Sequence, residues 1–314
     1  MSRIPALALS LLAATALPAF AAGWSYTGGD GQTVTLDDVP VRIIAHQDAA
    51  AGLIPLGIRP VGIYANSAVG EAKALQGLDL SGIEIVGEVW NEVDIEKAAA
   101  LEPDIIIGEY WPLDVTFSGS ANVVAALSQI APITGPLQGD SILTLIEDYE
   151  KLAESLGADL SQPAIAADKA AFEASLDAFK AAVAAKPGLT AMAVTGGSQG
   201  LNIAVVDSAS ELRDFVSWGL NIISAGNPDA RGYWELLSWE VADKYQPDLI
   251  LVDNRYAAME ALQAEPSWPL MLKAAEAGQV TDWPAFWLRN YAAYARELDK
   301  LTAAINAADA DLTP

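Results

Sequence analysis

Residues 161–186 read SQPAIAADKAAFEASLDAFKAAVAAK, and this stretch constrains the fold more than any other. Phe172, Leu176, Phe179 and Val183 recur at helical spacing, while Asp168, Lys169, Glu173, Asp177 and Lys180 fall mostly off that stripe. Ser161 is a candidate N-cap with Pro163 in the first turn, and Pro187-Gly188 stops the helix. A helix of this length spans roughly 35 Å, about the width of a small domain. It sits near the middle of the chain with α/β text on each side. An ordinary packing helix would show the same stripe. What favours a strut between two lobes is that the flanks repeat each other.

The flanks alternate strands with helices, which predicts mostly parallel sheets. Before the strut, strands are expected at 34–36, 41–45, 61–63, 83–86, 105–107 and near Ile133. Helices are expected at 49–56, 93–101, 122–129 and 142–156, and residues 23–33 read as turn-rich. After it, strands are expected at 190–194, 201–206, 221–223, 249–252 and from Val280, with helices at 210–218, 236–245 and 287–308. In the first half a helix runs into Leu101-Glu102-Pro103-Asp104 and then three isoleucines. In the second half a helix runs into Tyr245-Gln246-Pro247-Asp248 and then Leu-Ile-Leu. Proline ends the helix and aspartate enters a fully buried strand in both places. The fold expected is α/β, with two Rossmann-like lobes joined by one long helix and a ligand cleft between them. The boundaries expected are 22–157, 158–187 and 188–314.

Composition narrows the setting. At 314 residues and 52% apolar content, the chain can fill two cores. Residues 1–21 hold Arg3, an apolar run and Ala19-Phe20-Ala21, the pattern of a cleaved secretory signal peptide. There is no cysteine, hence no disulfide and no lipoprotein anchor. A soluble protein of a Gram-negative periplasm is the expectation. The net charge of −24 argues against nucleic acid and anionic lipid as partners.

In open α/β sheets ligands bind beyond the C-terminal ends of the strands. The first half offers His46, Gln47, Tyr64, Asn66, Trp90, Tyr110 and Trp111 at such positions. The second offers Thr195, Tyr233, Trp234, Arg255, Tyr256, Trp283 and Trp287. Tryptophan and tyrosine make flat, amphipathic walls for a bulky organic ligand, although core packing would use them equally well. Arg255 could aim a guanidinium into the cleft or sit in a surface ion pair; Arg231 and Arg289 are weaker candidates. One histidine and no cysteine leave no zinc or manganese cage of the usual type. No P-loop, GxGxxG turn or GxSxG elbow is present.

The segment GEVWNEVDIEKAAALEPDIII at 87–107 resembles the N-lobe signature of periplasmic ferric-siderophore and cobalamin binding proteins. Ile95-Glu96, Leu101, Pro103 and Asp104 match it. Leu56-Gly57-Ile58-Arg59-Pro60-Val61-Gly62 and Tyr245-Gln246-Pro247-Asp248 resemble two further segments, and Gly87-Glu88-Val89-Trp90 looks most like the siderophore branch. The resemblance implies little hinge motion, a ferric siderophore as ligand, and delivery to an inner-membrane ABC importer by a monomer. Iron would arrive only inside the siderophore, with no cofactor and no catalysis. Docking to the permease would use an acidic residue on each lobe: Glu211 or Asp214 on the second, with none at the matching Ser120-Ala121-Asn122 of the first. Cobalamin or haem, held axially by His46 or a cleft tyrosine, is the alternative on the same fold. A periplasmic hydrolase using cleft carboxylates is the distant one.

Overall fold

Three-residue runs of isoleucine and leucine have no polar face, so they suit strands buried on both sides. The computed structural model describes residues 23–112 and 115–312, and it places these runs inside two separate sheets. The signal segment expected at 1–21 lies outside the described residues.

The described chain opens with an antiparallel hairpin, β1 (Trp24–Thr27) and β2 (Thr33–Leu36). Residues 23–33 therefore hold a strand that their turn-rich composition hides. Trp24 anchors it, its indole N–H donating to Ser155 Oγ at 3.1 Å. The first large sheet contains β3 (Ile43–His46), β4 (Gly62–Tyr64), β5 (Glu84–Gly87) and β6 (Ile105–Ile107). A small hairpin of β7 (Tyr110–Trp111) and β8 (Thr116–Phe117) precedes its last strand, β9 (Ile133–Thr134). Every pairing in this sheet is parallel, in the order β5-β4-β3-β6-β9. Its helices are α1 (Gln47–Leu53), α2 (Ile95–Ala100), α3 (Ala121–Leu127) and α4 (Ile142–Ser155). The chain runs outward from β3 and returns on its other side at β6. That reversal opens a crevice at their C-terminal ends.

The long helix is α5 (Pro163–Ala185). Its cap is Gln162, not Ser161, because Asp159 accepts both the N–H (3.0 Å) and the hydroxyl (2.5 Å) of Ser161. Phe172, Phe179 and Val183 are buried as the stripe requires, and Leu176 is half-buried. Near its start, Lys169 pairs with Glu150 of α4 at 3.1 Å. Further along, Phe179 packs on Phe215 and Trp218 of the second half.

The second sheet has six strands: β10 (Thr190–Gly197), β11 (Gly200–Ala204), β12 (Asn221–Ile222), β13 (Trp234–Leu237), β14 (Leu249–Asp253) and β15 (Val280–Trp283). Its helices are α6 (Ser210–Ser217), α7 (Ala258–Gln263), α8 (Ser267–Met271), α9 (Lys273–Glu276) and α10 (Tyr291–Ala307). β10, β12, β14 and β15 run parallel; β11 runs against them beside β10, and β13, paired antiparallel to β11, runs with them again. Residues 236–245 are thus not one helix. Leu236 and Leu237 belong to β13, with Leu236 exposed and Leu237 buried, and a 3-10 turn follows at 239–244. The last helix starts at Tyr291 rather than 287, because Asn290 caps it by accepting the N–H of Ala293 at 2.8 Å.

The paired Pro-Asp motifs do the same work in both halves. Asp104 Oδ2 accepts the N–H groups of Val41 (2.9 Å) and Arg42 (2.8 Å), which lead into β3. Asp248 Oδ2 accepts the N–H and the hydroxyl of Thr190, both at 2.8 Å, at the start of β10. Each aspartate ties the strand it precedes to a neighbour in its sheet.

The two halves meet through a buried ion pair. Arg289 and Glu109 are both 0% exposed, and Arg289 Nε donates to Glu109 Oε1. The Tyr149 hydroxyl donates to the same oxygen at 2.6 Å, and Asp48 Oδ2 lies 4.0 Å from Arg289 Nη2. Burial pushes the Glu109 carboxyl up, against the pull of the Arg289 charge. Burial likewise opposes the Arg289 charge, but Glu109 and Asp48 together hold its proton more tightly than water would.

Two outcomes are expected. Arg289→Ala strands a buried carboxylate and should cost about 3–5 kcal/mol in urea unfolding, while Arg289→Met with Glu109→Leu should cost less. The second concerns Glu235. Burial raises its pKa, but hydrogen bonds from Lys244, Tyr245 and the amides of Asn227 and Gly226 outweigh that and hold it at about 2, down from 4.5. A carboxyl depressed on folding stabilises above its unfolded pKa, and that contribution is lost as pH falls toward 2. It is worth at most about 3 kcal/mol. Glu235→Gln should therefore flatten the loss of stability between pH 4.5 and 3, measured by urea unfolding across that range.

Candidate functional site

The crevice at the β3/β6 reversal faces the loops that follow β14 and β15. Between them lies a cavity lined by Gln47, Asn66 and Trp111 from the first half and by Arg255, Tyr256, Phe286 and Trp287 from the second. Ser67, Glu71, Lys73 and buried Asp48 complete its polar lining. The enclosed floor measures about 110 Å³. Two wider hollows, of about 620 and 580 Å³, run along residues 85–97 and along the Gly-rich β10–β11 turn, each lined by one half alone. Unlike these two, the crevice has aromatic walls contributed from both sides.

Arg255 is held there by Asp253, the last residue of β14. Asp253 accepts Arg255 Nη2 at 2.7 Å, Nε at 3.1 Å and the backbone N–H at 3.0 Å. The guanidinium lies over Phe286 (4.6 Å to the ring centroid) and beside Tyr256 (5.4 Å). Phe286 adopts a left-handed φ of 62°, which a bulky residue holds only under constraint. Glu211 supplies the constraint: its Oε1 accepts the Phe286 N–H at 2.9 Å and the Trp283 indole N–H at 3.0 Å. Trp111 and Tyr233 pack on the same phenyl ring. Trp287 is fixed by its indole N–H, which donates to Asn254 Oδ1 at 2.8 Å.

Of the residues expected from sequence, the structure gathers Gln47, Asn66, Trp111, Arg255, Tyr256 and Trp287 in the crevice. Others at strand ends point elsewhere. Tyr64 is buried, its hydroxyl donating to the Ser118 carbonyl at 3.1 Å. Tyr110 is buried, and its hydroxyl donates to Asp30 at 3.0 Å. His46 is 1% exposed and uses both ring nitrogens: Nε2 meets Asn66 Oδ1 at 3.2 Å and Nδ1 accepts the Asp48 N–H at 3.4 Å. Trp283 is wholly buried, with Trp234 edge-on against it and Tyr233 behind Phe286. Trp90 is half-exposed on the loop after β5, outside the crevice lining. Alternation explains the split: neighbouring residues at a strand end point to opposite sides. Phe286, Ser67, Glu71 and Lys73 were not singled out from sequence, because they sit three or more residues past any strand end, in loops or, for Lys73, at the start of a short 3-10 turn.

A family model described as periplasmic binding protein matches residues 85–285. The chain belongs to the periplasmic binding protein family.

Members of this family are binding proteins, and solved structures agree with the assignment. DesE, a ferric-siderophore receptor from Streptomyces coelicolor, is 28% identical with a TM-score of 0.82, over 91% of this chain and 99% of DesE. The siderophore periplasmic binding protein from the fuscachelin gene cluster of Thermobifida fusca is 22% identical with a TM-score of 0.62, over 85% of this chain and 97% of that one. FhuD from Vibrio cholerae, solved with Fe3+-Desferal, is 20% identical with a TM-score of 0.62, over 87% and 99%. No curated protein sequence matches the chain. Among the described residues, no cluster of three or more His, Asp or Glu could hold a metal ion, and no helix is long and apolar enough to cross a membrane.

The acidic residues expected to dock a permease are not on the surface. Glu211 is 0% exposed, and burial pushes its carboxyl up. Asp214 is 5% exposed and spans the two halves: its Oδ2 accepts the Ile142 N–H of α4 at 3.0 Å and the Tyr294 hydroxyl at 2.9 Å. Asp214 faces inward because α6 lies against α4 of the other half, where the Ile142 N–H needs an acceptor; Glu211 faces inward because the Phe286 N–H and the Trp283 indole of its own half need one. Glu211→Ala should cost about 2–4 kcal/mol in urea unfolding, since it leaves two buried donors unpaired. A change within about 0.5 kcal/mol, the mark of an exposed acid, would contradict this placement.

Proposed function

We propose that this protein captures a ferric siderophore in the crevice between its halves and hands it unchanged to an ABC importer at the inner membrane, working from the periplasm. The likeness to the ferric-siderophore receptor DesE, extending over nearly the whole of both chains, carries the reading. The crevice supports it: Trp111, Tyr256, Phe286 and Trp287 offer aromatic walls and Arg255 a donor. The lobes would be residues 22–157 and 188–314, with 158–187 as the strut. Iron would stay bound to the siderophore's own oxygens, and the protein would break no bond. The enclosed floor is smaller than the 300–1,000 Å³ usual for organic ligands, so the guest would seat one end there and fill the open mouth with the rest. Haem or cobalamin held by His46 is not favoured, since both of its ring nitrogens are already engaged.

Trp111 and Trp287 make tryptophan fluorescence the direct readout. Ferric hydroxamate, carboxylate and catecholate chelates should be titrated in turn. At least one should quench with a midpoint below about 10 μM, roughly −7 kcal/mol. Tyr256→Ala should weaken that binding about tenfold without moving the unfolding midpoint, because the ring is 72% exposed. Absence of quenching by all three classes would sink the reading.

A further inference from the structure

Arg255 reaches the crevice with its charge already matched. Asp253 is 1% exposed, and both its oxygens are turned onto Arg255 in a two-pronged fork. The same carboxylate also accepts the Arg255 backbone N–H, so the pair is tied at the main chain and cannot easily separate. Phe286 and Tyr256 cover the guanidinium. Only Nη1 makes no hydrogen bond among the described residues, which leaves its N–H groups but little net charge to offer a ligand.

The remaining charges do not make up the difference. Among the described residues, Lys73 is the only other cation lining the crevice, against Asp48 and Glu71. The Arg289 behind Asp48 is itself bonded to Glu109. Carboxylates therefore outnumber cations around the floor, within a protein of net charge −24.

Iron chelates differ sharply in charge. Three hydroxamates carry one negative charge each and cancel the three positive charges of ferric iron. Three catecholates carry two each and leave a trianion. A trianion entering a crevice with no positive excess meets repulsion that a neutral or cationic complex escapes. We propose that the crevice selects ferric chelates of zero or positive charge, the tris-hydroxamate class, and that Asp253 sets this choice by neutralising Arg255. The proposal rests on the siderophore reading and narrows it.

The test uses the purified protein, ferrioxamine B as the tris-hydroxamate and ferric enterobactin as the tris-catecholate, followed by tryptophan fluorescence. Ferrioxamine B should bind at least about tenfold tighter. Raising salt from about 20 to 500 mM should leave the affinity of this monocation unchanged or slightly weaker, and should narrow the gap by screening the trianion. Asp253→Asn uncovers the Arg255 charge and should shift the ratio about tenfold toward the catecholate. If that variant does not fold, the salt series on the native protein decides. Equal or tighter binding of ferric enterobactin, or its weakening with salt, overturns the inference while the siderophore reading stands. An unchanged ratio in a folded Asp253→Asn variant overturns the role given to Asp253. If neither these chelates nor a carboxylate one quenches below about 10 μM, the underlying reading fails and this one with it.

Discussion

The Arg289–Glu109 pair joins the two halves at a point that water does not reach. Each buried ion costs several kcal/mol to desolvate, and the other is its main compensation. Sliding one half on the other would part the two charges while they are still buried, leaving each without its closest counter-charge. Tyr149 and Asp48 extend the network on one side, and the carbonyls of Leu288 and Phe286 complete it on the other. Further bonds cross nearby: Asn290 Nδ2 donates to the Ala51 carbonyl at 3.0 Å, and Asp214 caps α4 from the opposite half. Buried apolar residues of both sheets belong to one continuous cluster. An interface packed like a core resists hinge opening.

That fixed mating brings the strand ends of the two sheets face to face. The first half supplies a topological reversal, and the second supplies loops that carry Arg255, Phe286 and Trp287 across it. The left-handed turn at Phe286 is what presents its ring to the crevice, and Glu211 holds the turn. A buried acid in α6 therefore acts on the ligand wall through the backbone, without touching the crevice itself. Asp253 acts in a comparable way on Arg255, setting both where the guanidinium points and how much charge it shows.

Much of the architecture could be read from short-range signals. The Ile-Ile-Ile and Leu-Ile-Leu runs identify interior strands, and the repeated Pro-Asp pair exposes two similar halves. The site was only partly legible. Strand ends located the crevice, but could not say on which side Tyr64, Tyr110, Trp111 or Trp283 would point. Glu211 and Asp214 were misread because an acid on a helix is normally exposed. Their burial depends on Trp283, Phe286 and Ile142, partners about 70 residues away along the chain. The strand β13 was hidden by helix-forming residues, because its pairing with β11 is a long-range event that local propensity does not see.

The sequence by itself determined two α/β halves, the strut between them and the end of each sheet at which a ligand would sit. These follow from periodicity, buried aliphatic runs and turn residues, all of which act over a few neighbours. Only the tertiary structure decided which aromatics line the crevice, which charges are cancelled and which acids are inside. Those depend on groups brought together from opposite ends of the chain, where burial turns a nearby carboxylate or guanidinium from a weak surface contact into a strong constraint.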